Sequence, residues 1–337
     1  MTVVLGLQVI VPIGWCRGGL GATSRRTCGP RAAAGASPGG LAATSSVSVL
    51  LGPIKSWVLG SLNLAFWVLC RSLGKYFDPP NHQMLDLVTR KEFFMQIEDL
   101  EPFLPEMITL ARGQFLMGSS QDEPGHEDTE SPQHTVHILY ALAVGKYPIT
   151  FAQWDACVKD GGTKYKPDDE GWGRGSRPVI NVSWSDIQPY LRWLNKVTGK
   201  THRLLSEAEW EYGVRAGSQT AYSFGDDEKD LGRFAWFKEN SGGKTHPVGE
   251  KLPNAFGLHD MHGNVYELTQ DCAPNSYSDA PTDGSAWSSG APTKWPFRVV
   301  RGGSWFDVPQ YLRAAYRSGD STTFRSFDGG FRVARTD

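Results

Sequence analysis

The C-terminal part of the chain contains two blocks that look like fixed framework, Arg298-Val-Val-Arg-Gly-Gly-Ser-Trp305 and Gly329-Gly-Phe-Arg-Val-Ala334. Between the blocks, positions that look like scaffold alternate with positions that look arbitrary. The scaffold-like positions are Pro309, Leu312 to Ala315, Arg317 and Arg325. The arbitrary positions share no chemistry and no period, and they are Phe306, Asp307, Val308, Tyr311, Tyr316, Ser318, Asp320, Ser321, Phe324, Ser326, Phe327 and Asp328.

We call these arbitrary positions the candidate face. Aromatic, hydroxyl and acidic side chains scattered over a rigid frame are typical of a binding surface rather than a catalytic site. Tyr and Phe provide rigid contact area at a low cost in conformational entropy, and Ser and Asp provide adaptable hydrogen bonds. An ordinary terminal loop and strand has the same pattern, so the pattern alone leaves both interpretations open.

The composition indicates a compact, loop-rich protein. The chain has 337 residues, a net charge of −2, 12 Trp and 38 Gly. Each Gly allows a turn beneath which a Trp can pack. No clustered basic face is present, so no nucleic acid partner is predicted. The five cysteines form no CxxC pair, which predicts neither a zinc ribbon nor a disulfide framework and favours a reducing compartment.

The first 107 residues divide into three segments by composition. Residues 1–46 are rich in Gly, Ala, Ser and Arg, which predicts disorder or a gene start placed upstream of the true one. Within residues 47–75, the apolar stretch 47–70 predicts either a membrane anchor or a buried or interfacial helix. Residues 76–107 are expected to form a linker with an amphipathic helix over 84–106. No convincing signal peptide is found, which leaves a cytoplasmic or membrane-associated location.

Two further helices are predicted from their capping boxes. Ser183 and Asp186 form one box, and Ser206 and Glu209 form the other. The first helix is expected to end at Gly199. Pro189 lies in its second turn, where the missing N–H is expected to kink the helix or to delay its start.

Ordered motifs along the chain, two of them within the C-terminal blocks, resemble the sulfatase-modifying-factor family, which contains the formylglycine-generating-enzyme domain. The motifs extend over residues 113–118, 131–134, 145–150, 177–184, 203–212, 245–249, 253–267, 301–305 and 330–332. The resemblance covers about residues 108–335 and implies one domain over 108–337. It implies an α+β, C-type-lectin-like fold with two helices, small twisted antiparallel sheets and much ordered loop.

The enzymes of this family oxidise a cysteine of a sulfatase peptide to formylglycine with copper and oxygen. Their chemistry needs two cysteines just after the Gly-Gly-Ser segment, because thiolates are the soft ligands that select monovalent copper. Residues 306–312 contain no cysteine, and Cys272 lies in a separate segment. We therefore expect no copper site and no catalytic residues. An oxidoreductase of this class with an altered site is the alternative.

Two other branches of the family have different sites. An iron-dependent branch needs a three-histidine cluster, which His126, His134 and His137 are not expected to form. Variable proteins of diversity-generating retroelements fit better, because mutagenesis of AAC codons yields Tyr, Phe, Ser, Asp and Val. The candidate face holds only residues of this kind. The resemblance thus implies a non-catalytic protein that binds an unknown protein or cell-surface ligand through residues 306–328. A membrane-anchored signalling accessory that contacts a partner through residues 84–106 is a further hypothesis.

The resemblance also implies a structural calcium ion in the segment Asp260-Met-His-Gly-Asn-Val-Tyr-Glu267. Asp260 and Glu267 would supply carboxylate oxygens, and Gly263 and Val265 would supply backbone carbonyls, which are the hard ligands that calcium prefers. A structural turn with solvated acids is the alternative interpretation of this segment.

Overall fold

The computed structural model describes residues 75–78, 83–86, 97–288 and 297–336. The predictions for residues 1–46 and for the apolar stretch 47–70 lie outside this part of the chain. No helix within the described ranges is long and apolar enough to cross a membrane.

The N-terminal linker differs from the predicted helix. Strands β1 (Lys75–Asp78) and β2 (Gln83–Asp86) form an antiparallel pair, so the start of the predicted helix is wrong. Helical structure is described only at α1 (Ile97–Leu100) and in the 3-10 turn Glu101–Phe103. The turn ends at Leu104, which is extended, because the residue before a proline, here Pro105, is disfavoured in a helical conformation.

Four more α-helices follow in the described residues, and two of them were predicted. They are α2 (Phe151–Lys159), α3 (Trp184–Thr198), α4 (Glu207–Arg215) and α5 (Leu231–Phe234). The capping boxes of α3 and α4 are confirmed, and Gly199 ends α3 in a left-handed conformation. The helix α3 begins at Trp184, so Pro189 does not delay its start.

Ten strands of the described part of the domain form its sheets, and the predicted small sheets are confirmed. One four-stranded sheet has the order β3-β6-β12-β7, a second has the order β10-β9-β8-β11, and β4 pairs with β5. All pairs are antiparallel except β11 with β8. The strands are β3 (Met107–Leu110), β4 (Gly113–Met117), β5 (His134–Ile138), β6 (Leu142–Gly145), β7 (His202–Leu204), β8 (Tyr266–Cys272), β9 (Phe297–Arg301), β10 (Arg317–Ser321), β11 (Gly329–Phe331) and β12 (Val333–Thr336).

The two C-terminal sequence blocks are structural supports of the candidate face. The first block contains β9, which pairs with both β8 and β10. The second contains β11 and β12, and β12 lies between β6 and β7 in the other sheet. The candidate face therefore starts and ends at strands that are fixed in the two larger sheets.

Aromatic side chains occupy two buried hydrophobic clusters of the domain. Trp154 of α2 stacks on Tyr190 of α3 at 5.5 Å between ring centroids, and Phe331 of β11 packs edge-on against Tyr190 at the same distance. Trp210 of α4 is buried in a second cluster with Leu142 and Ala334. The α+β class is thus confirmed, with the C-terminal strands inside the core.

Candidate functional site

Burial separates the candidate face from its frame. All twelve candidate side chains are exposed or half-buried, whereas Leu312, Arg313, Ala314, Ala315 and Arg317 are buried. The other two scaffold-like residues, Pro309 and Arg325, are half-buried and exposed. The face runs through the 3-10 turn Pro309–Leu312, then along β10, and ends before β11.

Buried ion pairs hold the frame to the rest of the domain. Arg317 donates two hydrogen bonds of 2.8 Å to the two carboxylate oxygens of Glu207 at the start of α4. Arg313 binds Glu123 and Glu130, which lie in the acidic loop between β4 and β5 (residues 118–133), each through a contact of 2.6 Å. Charge-assisted, two-point bonds of this kind fix both position and orientation.

Arg301 fixes the backbone of the frame directly. Its guanidinium donates to the carbonyl oxygens of Ala314, Ala315 and Tyr316 at 2.7–2.9 Å and to the carboxylate of Glu211 at 2.5 Å. Arg301 is fully buried. The guanidinium has several N–H donors in fixed positions, so it can bind several carbonyl groups of an irregular segment at once. These bonds matter because a buried carbonyl group without a hydrogen-bond partner destabilises the folded state.

Aromatic rings form one part of the face. Trp305 is 7 % exposed and lies beneath Phe306 and Phe327, with ring centroids 5.4 and 5.7 Å away. Phe306 is 54 % exposed and Phe327 is 42 % exposed, and their centroids are 6.4 Å apart. Tyr311 and Tyr316 form a second pair at 4.9 Å. These pairs have the tilted and edge-to-face geometries that aromatic rings prefer.

Carboxylates form the other part of the face. Asp307 accepts hydrogen bonds from the N–H and hydroxyl of Ser304 at 2.9 and 2.5 Å. Burial raises the pKa of Asp307, and the charge of Asp328 adds to that effect. The pKa of Asp320 is raised by burial and then by Asp328. Asp328 therefore lies close enough to Asp307 and to Asp320 to repel both carboxylates.

Sequence reasoning missed three residues that border the face. Trp172 packs edge-on against Trp305 at 5.2 Å, Lys238 places its Nζ 6.0 Å from the ring centroid of Phe306, and Tyr266 is hydrogen-bonded to Asp307. Burial raises the pKa of Tyr266, and the nearby Asp307 adds to the shift. Of these three residues, only Trp172 could have been recognised from the sequence, because it is a large aromatic residue between two glycines of an irregular loop.

The segment predicted to bind calcium makes other contacts. Asp260 is buried and accepts hydrogen bonds from the N–H of Gly249 at 2.8 Å and from the amide of Asn264 at 3.4 Å. Burial raises the pKa of Asp260 to about 6. Glu267 forms a buried ion pair with Arg332 at 2.7 Å and accepts the indole N–H of Trp210 at 2.8 Å.

With these contacts, Asp260 and Glu267 are poorly suited to act as the predicted calcium ligands. The guanidinium of Arg332 already neutralises Glu267 and repels a second cation, and calcium takes six to eight oxygen ligands. Within the described residues, no three or more His, Cys, Asp or Glu side chains are grouped to hold a metal ion. The backbone N–H of Gly263 donates to the carbonyl oxygen of Gly302 at 2.7 Å. The turn at Gly263 therefore holds the segment that leads into the candidate face. The calcium site stays a prediction.

The two described cysteines are not placed for a paired reaction. Cys157 lies in α2 and Cys272 lies in β8, and both are buried and free. Burial raises the pKa of Cys157 to about 12, which keeps it a thiol at neutral pH. A buried, protonated thiol is a poor nucleophile and a poor metal ligand.

Comparison with known families now places the domain. The sulfatase-modifying factor enzyme 1-like domain matches residues 95–337, which include α1 and every later element. The chain belongs to this family. The predicted resemblance is thus confirmed, and the match begins before the predicted boundary at residue 108.

Curated members of the sulfatase-modifying factor family differ in length and in name. The formylglycine-generating enzyme of Streptomyces coelicolor is 30% identical over 288 residues, which cover 67% of this chain and 88% of that enzyme. The serine/threonine-protein kinase pkn1 of Chlamydia pneumoniae is 29% identical over 257 residues, which cover 70% of this chain. The matched region spans only 38% of that kinase.

Solved structures share the sulfatase-modifying factor fold. PvdO from Pseudomonas aeruginosa is 37% identical with a TM-score of 0.65, and the match covers 70% of this chain and 95% of PvdO. Treponema denticola variable protein 1 is 26% identical with a TM-score of 0.57, and the match covers 68% of this chain and 95% of that protein. The scaffold is therefore shared by proteins that carry enzyme names and by a protein named for its variability.

Proposed function

We propose that this protein is a non-catalytic binding protein whose candidate face, residues 306–328, is diversified as in the variable proteins of diversity-generating retroelements. One observation carries the proposal. The positions that look arbitrary in the sequence all reach the surface, while the core of the frame between them is buried.

This separation is what a diversified surface requires. Surface substitutions that break no special contact usually change stability by about 0.5 kcal/mol or less. Removing one partner of a buried ion pair costs roughly 3–5 kcal/mol. The face can therefore vary while Arg313 and Arg317, which hold it to Glu130 and Glu207, stay constant.

The similarity to Treponema denticola variable protein 1 supports the proposal, because the match includes 95% of that protein on the same fold. The chemistry of the face adds support. Exposed Phe306, Phe324 and Phe327 supply rigid contact area, and Ser318 and Ser321 supply adaptable hydrogen bonds.

Sequencing the 3′ end of the gene across close isolates tests the proposal. We expect substitutions at the codons of the candidate face and unchanged codons for Leu312, Arg313 and Arg317. Substitutions spread equally over face and frame would contradict diversification. A uniform sequence would leave a binding protein with one fixed ligand.

An oxidoreductase of the formylglycine-generating class with an altered site is the second candidate. Its support is the 30% identity to the Streptomyces coelicolor enzyme over 88% of that enzyme. A copper titration of the protein, followed by incubation with a cysteine-containing sulfatase peptide, tests it. Tight copper binding with formylglycine formation would favour the enzyme over the binding protein.

A further inference from the structure

Exposed apolar side chains are concentrated on the candidate face. Seven large hydrophobic residues are exposed in the described part of the chain, and four of them, Phe306, Val308, Phe324 and Phe327, belong to the face. Trp305 and Trp172 form an aromatic support for Phe306 and Phe327. Grouped exposed apolar surface of this kind marks an interaction site.

The charge beside this apolar surface is negative and uncompensated. Asp307, Asp320 and Asp328 are half-buried, and none forms an ion pair with a Lys, Arg or His of the described residues. Burial and the charge of Asp328 raise the pKa of Asp320, and no cation among the described residues opposes that shift. A positive group placed beside these acids would relieve the repulsion and recover part of the cost of their burial.

The domain already contains the arrangement that such a group would form. The guanidinium of Arg325 lies 3.9 Å from the ring centroid of Tyr165 and donates to both oxygens of Asp186 at 2.7 and 2.8 Å. A ring and a carboxylate together bind one cation through its face and its N–H groups. On the candidate face, the rings and the acids are present, and Lys238 approaches only the ring of Phe306, at 6.0 Å.

We propose that the candidate face docks a protein segment that carries a Lys or Arg side chain next to an apolar residue. The apolar residue packs on Phe306 and Phe327, and the cationic side chain binds Asp320 and Asp328. This inference rests on the proposed function and names the ligand class of the same surface. Charge complementarity, rather than apolar area alone, selects the partner.

Panning a random-peptide display library against the full chain tests the proposal. We expect the enriched peptides to carry Lys or Arg beside an aromatic or aliphatic residue. Their affinity for the double variant Asp320→Asn/Asp328→Asn should fall at least tenfold, because the substitution removes two charges and keeps the shape. The matched control Glu101→Gln/Asp279→Asn neutralises two exposed acids outside the face and should leave the affinity unchanged.

The outcomes separate this inference from the proposed function. Enriched peptides without basic residues, or basic peptides that bind the Asp320→Asn/Asp328→Asn variant equally well, overturn the inference while the face remains a binding surface. Peptides that bind Phe306→Ala/Phe327→Ala as tightly as the original chain place the binding elsewhere and overturn both. A library that yields no binder also counts against both. Far-ultraviolet circular dichroism and thermal unfolding of each variant confirm that it is folded.

Discussion

Arg313 and Glu130 lie 183 positions apart in the sequence and form a buried two-point ion pair. The guanidinium donates to the two carboxylate oxygens at 2.6 and 3.0 Å, and the two side chains are 2 % and 0 % exposed. Glu123 accepts a third hydrogen bond at 2.6 Å. The acidic loop that contains both glutamates thus holds the middle of the candidate face in place.

Replacing Arg313 by Met should lower the free energy of unfolding by about 3–5 kcal/mol, because Glu130 then loses its buried guanidinium partner and keeps only the hydroxyl of Ser119 and the ring of His126 nearby. Arg325→Met is the matched control, because the Arg325 side chain that pairs with Asp186 is 47 % exposed. We expect the control to lose about 0–1 kcal/mol. Urea denaturation of both variants measures the difference. Equal losses would show that the Arg313 pair does not anchor the face.

Local signals made part of this structure predictable. Each of the capping boxes of α3 and α4 places a cap residue and its partner three positions apart. The first residues of these helices, Trp184 and Glu207, are therefore predictable from short segments of sequence. The helix α2 has the same signal in Thr150 and Gln153 and the same length as α4, nine residues, so it was equally predictable, but it was not among the predicted helices. Of the scaffold-like positions, Leu312 to Ala315 and Arg317 are buried as a frame requires, whereas Pro309 and Arg325 reach the surface.

Contacts between distant segments were not predictable. Nothing in the sequence near Arg313 points to Glu130, and nothing near Trp305 points to Trp172. The strand at Gln83–Asp86 depends on its pairing with β1, while the local apolar spacing favoured a helix. The partner of Glu267 decides whether its carboxylate is available to a metal, and that partner, Arg332, is 65 positions away.

Gly263 should not tolerate a side chain. Its φ is +89°, and a Cβ there would overlap the carbonyl oxygen of Trp236 and approach Leu312 within 3.1 Å. Gly242 is the matched control, because its φ is +63° and a Cβ would meet nothing within 4 Å. Gly242→Ala should cost roughly 1–2 kcal/mol for the left-handed conformation alone.

The overlap should cost Gly263→Ala a further 1–3 kcal/mol or so, as overpacking usually does. Thermal and urea unfolding of the two alanine variants measure this difference. If both variants were equally stable, the turn at Gly263 would have room to move, and its close contact with Trp236 would not constrain the start of the face.

Asp271 should make the domain less stable as the pH rises towards neutrality. Its carboxylate accepts the N–H groups of Glu207 and Trp287, each at 2.7 Å. Burial, and then the charge of Glu207, raise its pKa from 3.8 to about 7. The folded state therefore keeps this proton over a range in which the unfolded state has lost it. The stability that the proton gives is present below about pH 4 and is lost as the pH rises through about 7.

Urea denaturation at several pH values, with the Asp271→Asn variant as reference, isolates this effect. The free energy of unfolding of the original chain, minus that of the variant, should fall between pH 5 and pH 8 and level off above. His262 titrates in both proteins, and burial lowers its pKa to about 4, so its contribution cancels in the difference. A difference that stays flat between pH 5 and pH 8 would mean that Asp271 is ionised in the folded state throughout this range, and would contradict the raised pKa.

Calcium provides the last test, because the sequence and the structure lead to different expectations. The sequence predicts that Asp260, Gly263, Val265 and Glu267 hold the ion, and a ligand at 100 times its dissociation constant stabilises a protein by about 2.7 kcal/mol. The structure instead commits Glu267 to Arg332 and Trp210. We therefore expect the melting temperature to be the same in millimolar calcium and in excess chelator. A calcium-dependent rise that Asp260→Asn abolishes would establish the predicted site and would require Glu267 to exchange Arg332 for the ion.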